Sequence, residues 1–254
     1  MFLPQLNITK DSFANDIVKE DYRTADVFRK YGIDYCCGGR WPLGNICMVK
    51  DIEEKLLVDD LKKVSVNIRV PSILPFEKWS IDFLIDYIIN IHHYYLVNTL
   101  PNLWTELKDF AEEHPSTYPG MNDLLASYSQ LQKEGILHIR YEEEVIFPYL
   151  RQVAHAYQNK DSFAGLLVKT LRKPIDKFLE QEHDIFAGNI HKFRAVTDNY
   201  TIPEQACAHH RVVLSKLREL DNDLAQHIRL EKDVLFPRVM AIEKELLEQN
   251  NDPT

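Results

Sequence analysis

The chain has 254 residues, 45% of them hydrophobic and 27% charged, which is enough apolar side chain to bury a core. Its 39 acidic and 30 basic residues leave a net charge of -9, which argues against a nucleic-acid partner, since phosphate-backbone binders are basic. Only 8 glycines, with long runs free of Gly and Pro, speak against a β-rich fold and for helices.

At the N-terminus, MFLPQLNITKD lacks the basic segment and the apolar run of a secretion signal. Four cysteines do not make a disulfide framework in a chain this long, so a reducing cytoplasm is the expected compartment. Residues 13–31 place Ile17, Ala25, Phe28 and Tyr31 at helical spacing. A turn-rich patch, GIDYCCGGRWPLGN, follows, and then a second short helical pattern that ends near Val64. In NIRVPSILPFEKW, Pro71 and Pro75 mark an extended linker, because proline removes a donor and restricts its neighbour. The chain therefore divides into a small N-terminal domain, residues 1–70, and a larger domain, residues 71–254.

From Ser80 onward the spacing predicts four long helices, roughly 80–113, 120–157, 174–197 and 204–247, separated by the stop signals HPSTYPG and TDNYTIPE. The stretch LLVKTLRKP before Pro174 also reads as helical. Long helices with short connections form a bundle. The most apolar stretch, FLIDYIINI, is interrupted by Asp86 and Asn90 and is far short of a bilayer span, so no membrane partner is expected.

Residues 138–148, HIRYEEEVIFP, return at 227–237 as HIRLEKDVLFP, with seven of eleven positions identical. Side chains four apart lie one helical turn above each other, so His138 points with Glu142 and His227 with Glu231. Both pairs fall on the apolar seam of their helices. On the second helix the seam runs Leu124, Tyr128, Leu131, Gly135, His138, Glu142, Val145, Tyr149; on the fourth it runs Val213, Leu217, Leu220, Leu224, His227, Glu231, Val234, Arg238. A single His-x-x-x-Glu is usually a surface pair. Two of them on seams would bury two carboxylates at considerable cost unless a shared cation coordinates them.

The third helix offers His183 among Leu179, Phe186, Ile190 and Phe193, and the first offers the doublet His92-His93, between which periodicity does not choose. Four histidines and two glutamates exceed one tetrahedral site, and they suit two metals with open positions, as iron meeting a small diatomic ligand requires. The repeat is not the Glu-x-x-His of ferritin-like sites. Glu134, one turn before His138, and Glu182, next to His183, are candidates to accept a proton from a histidine or to gate access; Glu182 could equally be a solvated neighbour. Each Phe-Pro should bend or end its helix near Pro148 and Pro237, with Phe147 and Phe236 covering the metal layer.

Together with DYCCGG at 34–39, HHYYLVNTLP at 92–101 and EHD at 182–184, the two repeats give a chain that resembles, over nearly its whole length, the repair-of-iron-centres family. These are the bacterial ScdA/YtfE di-iron iron-sulfur cluster repair proteins. The resemblance implies an all-α fold: a hemerythrin-like four-helix bundle preceded by a small helical cysteine-containing domain. It implies two iron ions in a non-haem di-iron centre, oxo- and carboxylate-bridged. Carried over by position, the ligands are His93, His138, Glu142, His183, His227 and Glu231. The family's first ligand lies seven residues before the Leu of a Leu-Pro pair, here Leu100-Pro101, which favours His93 over His92.

The implied function is repair of clusters damaged by nitrosative or oxidative stress, by iron donation, with damaged iron-sulfur proteins as partners and a homodimer as the expected assembly. The alternatives are an enzyme that reduces nitric oxide at the same centre, and an oxygen- or nitric-oxide-sensing module. Four histidines in place of the five of oxygen-carrying hemerythrins speak against a carrier. Cys36 and Cys37 beside Gly38-Gly39 are read as thiols that hold iron transiently or dock a client, against the simpler reading of a buried turn of small residues. Cys47 is too isolated to define a site, and Cys207 is expected in the core.

Overall fold

The computed structural model describes residues 6–36, 41–66, 74–173 and 175–249; the side chains of 175–184 and 249 lie outside that description. All regular structure in the described residues is helical, and the only pairing of strand type among them is an isolated bridge between Phe13 and Pro42.

The first helical stretch is two helices, α1 (Ala14–Glu20) and α2 (Thr24–Lys30). Asp21 breaks it. Its buried carboxylate accepts the Arg23 backbone N–H at 3.0 Å and the guanidinium at 2.7 and 2.9 Å, while Thr24 Oγ1 donates to its carbonyl at 2.6 Å. A short acidic side chain that bonds nearby backbone competes with helix continuation. The second stretch also divides, into α3 (Leu43–Lys50) and α4 (Glu54–Val64), because Asp51 turns left-handed at φ 54°.

Four rods form the bundle. The first is α5 (Ile81–Tyr87), a π-helical turn (Ile88–His93) and α6 (Tyr94–Glu113); Ser80 caps it by accepting the Phe83 N–H at 3.2 Å. The second is α7 (Met121–Tyr141), a π turn (Glu142–Ile146) and α8 (Phe147–Gln158). After the short α9 (Ala164–Leu171), the third is α10 (Ile175–Val196). The fourth is α11 (Ala208–Arg229), a π turn (Leu230–Leu235) and α12 (Phe236–Gln249).

The two Phe-Pro pairs neither end nor break their helices. Phe147 and Phe236 donate their N–H groups five residues back, to the carbonyls of Glu142 and Glu231. In a regular α-helix the ring of Pro148 would collide with the carbonyl four residues back, and the widened turn accommodates it. One residue is thereby inserted into each seam. The predicted seam holds through Glu142 and Glu231 and then broadens: Tyr149 and Val234 are buried as predicted, Val145 and Arg238 are only half-buried, and Ile146 and Leu235, outside the predicted seam, are fully buried.

Two apolar clusters fill the interior of the bundle, one on each side of the buried polar layer. One contains Leu84 and Ile88 of the first rod, together with Phe147, Leu150, Phe236 and Val239. The other contains Leu96, Leu100, Tyr128, Leu131, Phe193 and Leu224. His93, His138, Glu142, His227 and Glu231 lie between them, each no more than 3% exposed.

A third cluster joins α1–α4 to the bundle, since Ala208 and Val212 of α11 complete the core formed by Val18, Phe28, Leu43 and Leu57. Polar contacts reinforce this junction: Tyr22 OH donates to Glu219 at 2.9 Å, and Tyr35 OH donates to the buried Glu106 of α6 at 2.8 Å. The domain boundary expected at residue 70 falls among residues 67–73, outside the described residues.

Candidate metal centre

The π turns of the first, second and fourth rods carry or adjoin the buried histidines and glutamates. His93 closes the first, Glu142 opens the second one turn beyond His138, and Glu231 lies in the third one turn beyond His227. Antiparallel rods bring these turns to one level.

There the donor atoms converge. His93 Nε2 lies 3.3 Å from Glu142 Oε2 and 3.2 Å from His227 Nε2; His138 Nε2 lies 3.2 Å from Glu142 Oε1; His227 Nε2 lies 3.0 Å from Glu231 Oε1. One donor atom from each of His93, Glu142, His227 and Glu231 lies within 4.8 Å of the others. Both glutamates are 0% exposed. Burial, and then the neighbouring charge of Glu231, holds the Glu142 carboxyl well above its ordinary range.

This arrangement fits a cation. Two imidazole nitrogens facing each other at 3.2 Å in a dry interior repel as lone pairs, unless a proton or a metal lies between them. The spacing of 3.0–3.3 Å is that of donors sharing an ion at about 2.0–2.2 Å. Glu143, exposed on the far side, takes His93 Nδ1 at 2.8 Å. That contact places the ring proton on Nδ1 and leaves Nε2 free to bind.

The geometry separates the two adjacent histidines: His93 reaches the cluster, whereas His92 bonds Asp223 at 2.9 Å through Nδ1 and stacks on the His227 ring at 5.7 Å. His183 and Glu182 are carried by α10, and their side chains lie outside the described residues. Phe186, one turn beyond His183, is buried with its ring edge-on to His138 at 5.0 Å. Glu134 is half-buried and accepts from Gln130 at 3.2 Å.

Glu143 and Asp223 went unread in the sequence. The signal for Asp223 was its place four residues before His227, as Glu134 stands four before His138. The signal for Glu143 was the acidic run that follows Tyr141.

Cys36 is not brought to this cluster. Its loop is held by Asn15, which donates to the Tyr35 and Cys36 carbonyls at 3.0 and 3.3 Å, and by Tyr35 on Glu106. Glu106 stands thirteen residues beyond His93, about 20 Å along α6. Cys37 lies outside the described residues. Cys47 is buried in the N-terminal core. Cys207 is a correction to the expected core residue: it is half-buried and caps α11, accepting the His210 N–H at 3.4 Å.

A small cavity of about 10 Å³, bordered by Leu100, Leu131, Gly135, Phe186, His138 and His227, adjoins the cluster. It has room for about one water-sized molecule. A Cβ on Gly135 would sit 3.4 Å from Leu100 Cδ1, so the glycine keeps this gap open. Gly135→Leu is expected to fill it and to cost about 1–3 kcal/mol through overpacking; thermal melts test this, and an unchanged melting temperature would show that the gap yields without strain.

An antiparallel helical bundle that holds inward-facing histidines and glutamates at one level is a hemerythrin-like cation-binding bundle. Comparison with known sequences agrees: residues 84–239 match the hemerythrin HHE cation binding domain, and residues 11–65 match the ScdA_N domain, a domain of unknown function (DUF542). The chain is 28% identical over 233 residues to the iron-sulfur cluster repair protein ScdA of Staphylococcus epidermidis, covering 91% of this chain and 99% of that protein. It is 30% identical over 226 residues to the iron-sulfur cluster repair protein YtfE of Escherichia coli, covering 86% and 92%. The chain belongs to the hemerythrin HHE family and, within it, to the ScdA/YtfE proteins. Among the described residues no helix is long and apolar enough to cross a membrane.

Proposed function

We propose that this protein repairs iron-sulfur clusters damaged by nitrosative or oxidative stress, by supplying iron from its bundle to the damaged protein in the cytoplasm. The observation that carries this reading is the buried cluster of His93, His138, Glu142, His227 and Glu231. The names borne by the ScdA and YtfE relatives point the same way.

The site would take two iron ions, with His183 completing the ligand set from α10. Glu142 supports that number, because its two oxygens face different histidines: Oε1 meets His138 at 3.2 Å and Oε2 meets His93 at 3.3 Å. A carboxylate so placed suits a bridge. Iron held there supplies a redox-active cation with positions open to a small ligand.

The protein's own groups do the rest. Glu143 fixes the tautomer of His93, the two apolar clusters exclude water, and Glu142, whose carboxyl burial holds above its ordinary range, would have to give up its proton to act as a ligand. Proton uptake at Glu142 would then accompany loss of the ion, which suits a donor. Cys36 and Cys37 serve in this reading to engage the client, and Glu134 and Glu182 to pass protons near the centre.

The iron-loaded protein should restore activity to an iron-sulfur enzyme inactivated by nitric oxide, and the His138→Ala variant should not. Equal repair by both would end the proposal. The cavity beside His138 and His227 favours one second reading, reduction of nitric oxide at the same site. Steady production of nitrous oxide over many turnovers would establish it in place of donation. A homodimer, the expected assembly, is checked by the mass of the protein in solution.

A further inference from the structure

At the opposite end of the bundle a second group of metal-binding side chains is assembled from two helix ends. Glu113 and His114 stand at the C-terminal end of α6, and Cys207 and His209 at the N-terminal end of α11. Glu113 lies twenty residues beyond His93, about 30 Å along the rod, so this group is separate from the candidate iron centre.

We propose that Cys207, His114, His209 and Glu113 form a mononuclear site for a divalent transition metal of borderline softness, of the Zn²⁺ class. His209 Nδ1 lies 2.8 Å from Glu113 Oε2, His114 Nε2 lies 3.9 Å from the same oxygen, and Cys207 Sγ lies 3.5 Å from His114 Nε2. One donor atom from each of Glu113, His114 and His209 lies within 4.8 Å of the others. Nitrogen or oxygen bound at about 2.0–2.2 Å and sulfur at 2.3 Å around a tetrahedral ion stand roughly 3.3–3.6 Å apart. Glu113, His114 and His209 need shift only slightly to close on an ion, whereas Cys207, outside that group of three, joins it by moving in from its contact with His114.

The second nitrogen of His209 makes the stronger case. The residue is 4% exposed, and its Nε2 makes no hydrogen bond and lies 3.7 Å from Glu106 Oε1. With the ring proton on Nδ1, bonded to Glu113, the Nε2 lone pair faces a carboxylate. A cation on Nδ1 moves that proton to Nε2, where it can donate to Glu106. This gives the carboxylate–histidine–metal arrangement that stabilises bound zinc. His210 is excluded from the set because Tyr118 OH already occupies its Nε2 at 2.7 Å. Glu113 is exposed, and His114 and Cys207 are half-buried, so an ion can enter from solvent. Thiolate, imidazole and carboxylate together select zinc over magnesium or calcium.

The test is a titration of the full-length, iron-loaded protein with Co²⁺, which reports thiolate ligation through a near-ultraviolet charge-transfer band and is displaced by Zn²⁺. Wild type should bind one further Co²⁺ with that band. The band should survive in Cys36→Ser/Cys37→Ser and vanish in Cys207→Ser, where serine retains the helix cap. His114→Ala, a half-exposed change that leaves the core alone, should weaken binding by at least roughly 10-fold. Absence of the band in wild type, its survival in Cys207→Ser, or its loss in Cys36→Ser/Cys37→Ser would overturn the assignment. Because iron content is read in the same samples, failure of the iron-repair reading is scored separately.

Discussion

Glu142→Gln is expected to leave a folded protein that no longer holds iron and that, without metal, is more stable than wild type at alkaline pH. Glu142 is fully buried and its oxygens meet His138 and His93. Loss of a partner behind a metal ligand costs roughly 10–100-fold in affinity, so loss of a carboxylate in the proposed ligand set itself should cost at least as much. The stability effect has a definite sign. Burial and the charge of Glu231 raise the folded-state pKa of Glu142 well above its ordinary 4.5. Between those values the folded apo protein holds a proton that the unfolded chain releases, and stability falls as pH rises through that window. Glutamine removes the penalty. Calorimetry on apo protein should show variant and wild type melting together near pH 4, with the variant melting higher at about pH 8. Iron analysis should show the variant empty. An iron-replete variant would place the ligands elsewhere, and a wild-type apo protein with no alkaline loss would remove the buried-carboxylate explanation.

Glu106→Ala is expected to cost about 3–5 kcal/mol, because it removes the carboxylate that stands between two cations at a buried junction. Glu106 is 1% exposed. It meets Tyr35 OH at 2.8 Å, Arg29 at 3.0 Å and Lys216 at 3.0 Å, and Lys216 also pairs with Asp26 of α2. Burial alone would raise the pKa of Glu106; Lys216 and Arg29 outweigh it and bring it below the ordinary value. A carboxylate so lowered adds stability above its unfolded value of 4.5, and that contribution is lost as pH falls through the folded value. In the variant, limited proteolysis should cut within the first 66 residues before it cuts the bundle, with iron content unchanged. A loss below about 1 kcal/mol would mean that the apolar contacts of Ala208 and Val212 hold the junction by themselves.

Repetition of His-x-x-x-Glu within apolar seams was enough to predict that His138, Glu142, His227 and Glu231 face inward, because a helix seam leaves four-spaced side chains only one direction to face. The four rods were legible for the same reason. Short-range competition was harder to see: Asp21 and Asp51 divide helices that apolar spacing joins, since a local side-chain bond or a left-handed residue leaves the spacing intact. Cys207 was misread because its burial depends on where α11 begins. The charged junction on Glu106 was invisible, because Arg29, Tyr35 and Lys216 are far from it in sequence.

A helical bundle, the repeated His-Glu pairs and membership of the family could all be read from the chain, since each is written in local spacing. Packing in three dimensions was needed to establish that His93 and not His92 meets Glu142, that π turns carry or adjoin the buried histidines and glutamates, and that α1–α4 close their core on α11. Those outcomes depend on how separate rods rotate and pack against one another. A widened turn moves every later side chain around its helix by one position, and that shift has no signature in apolar periodicity until facing helices register it.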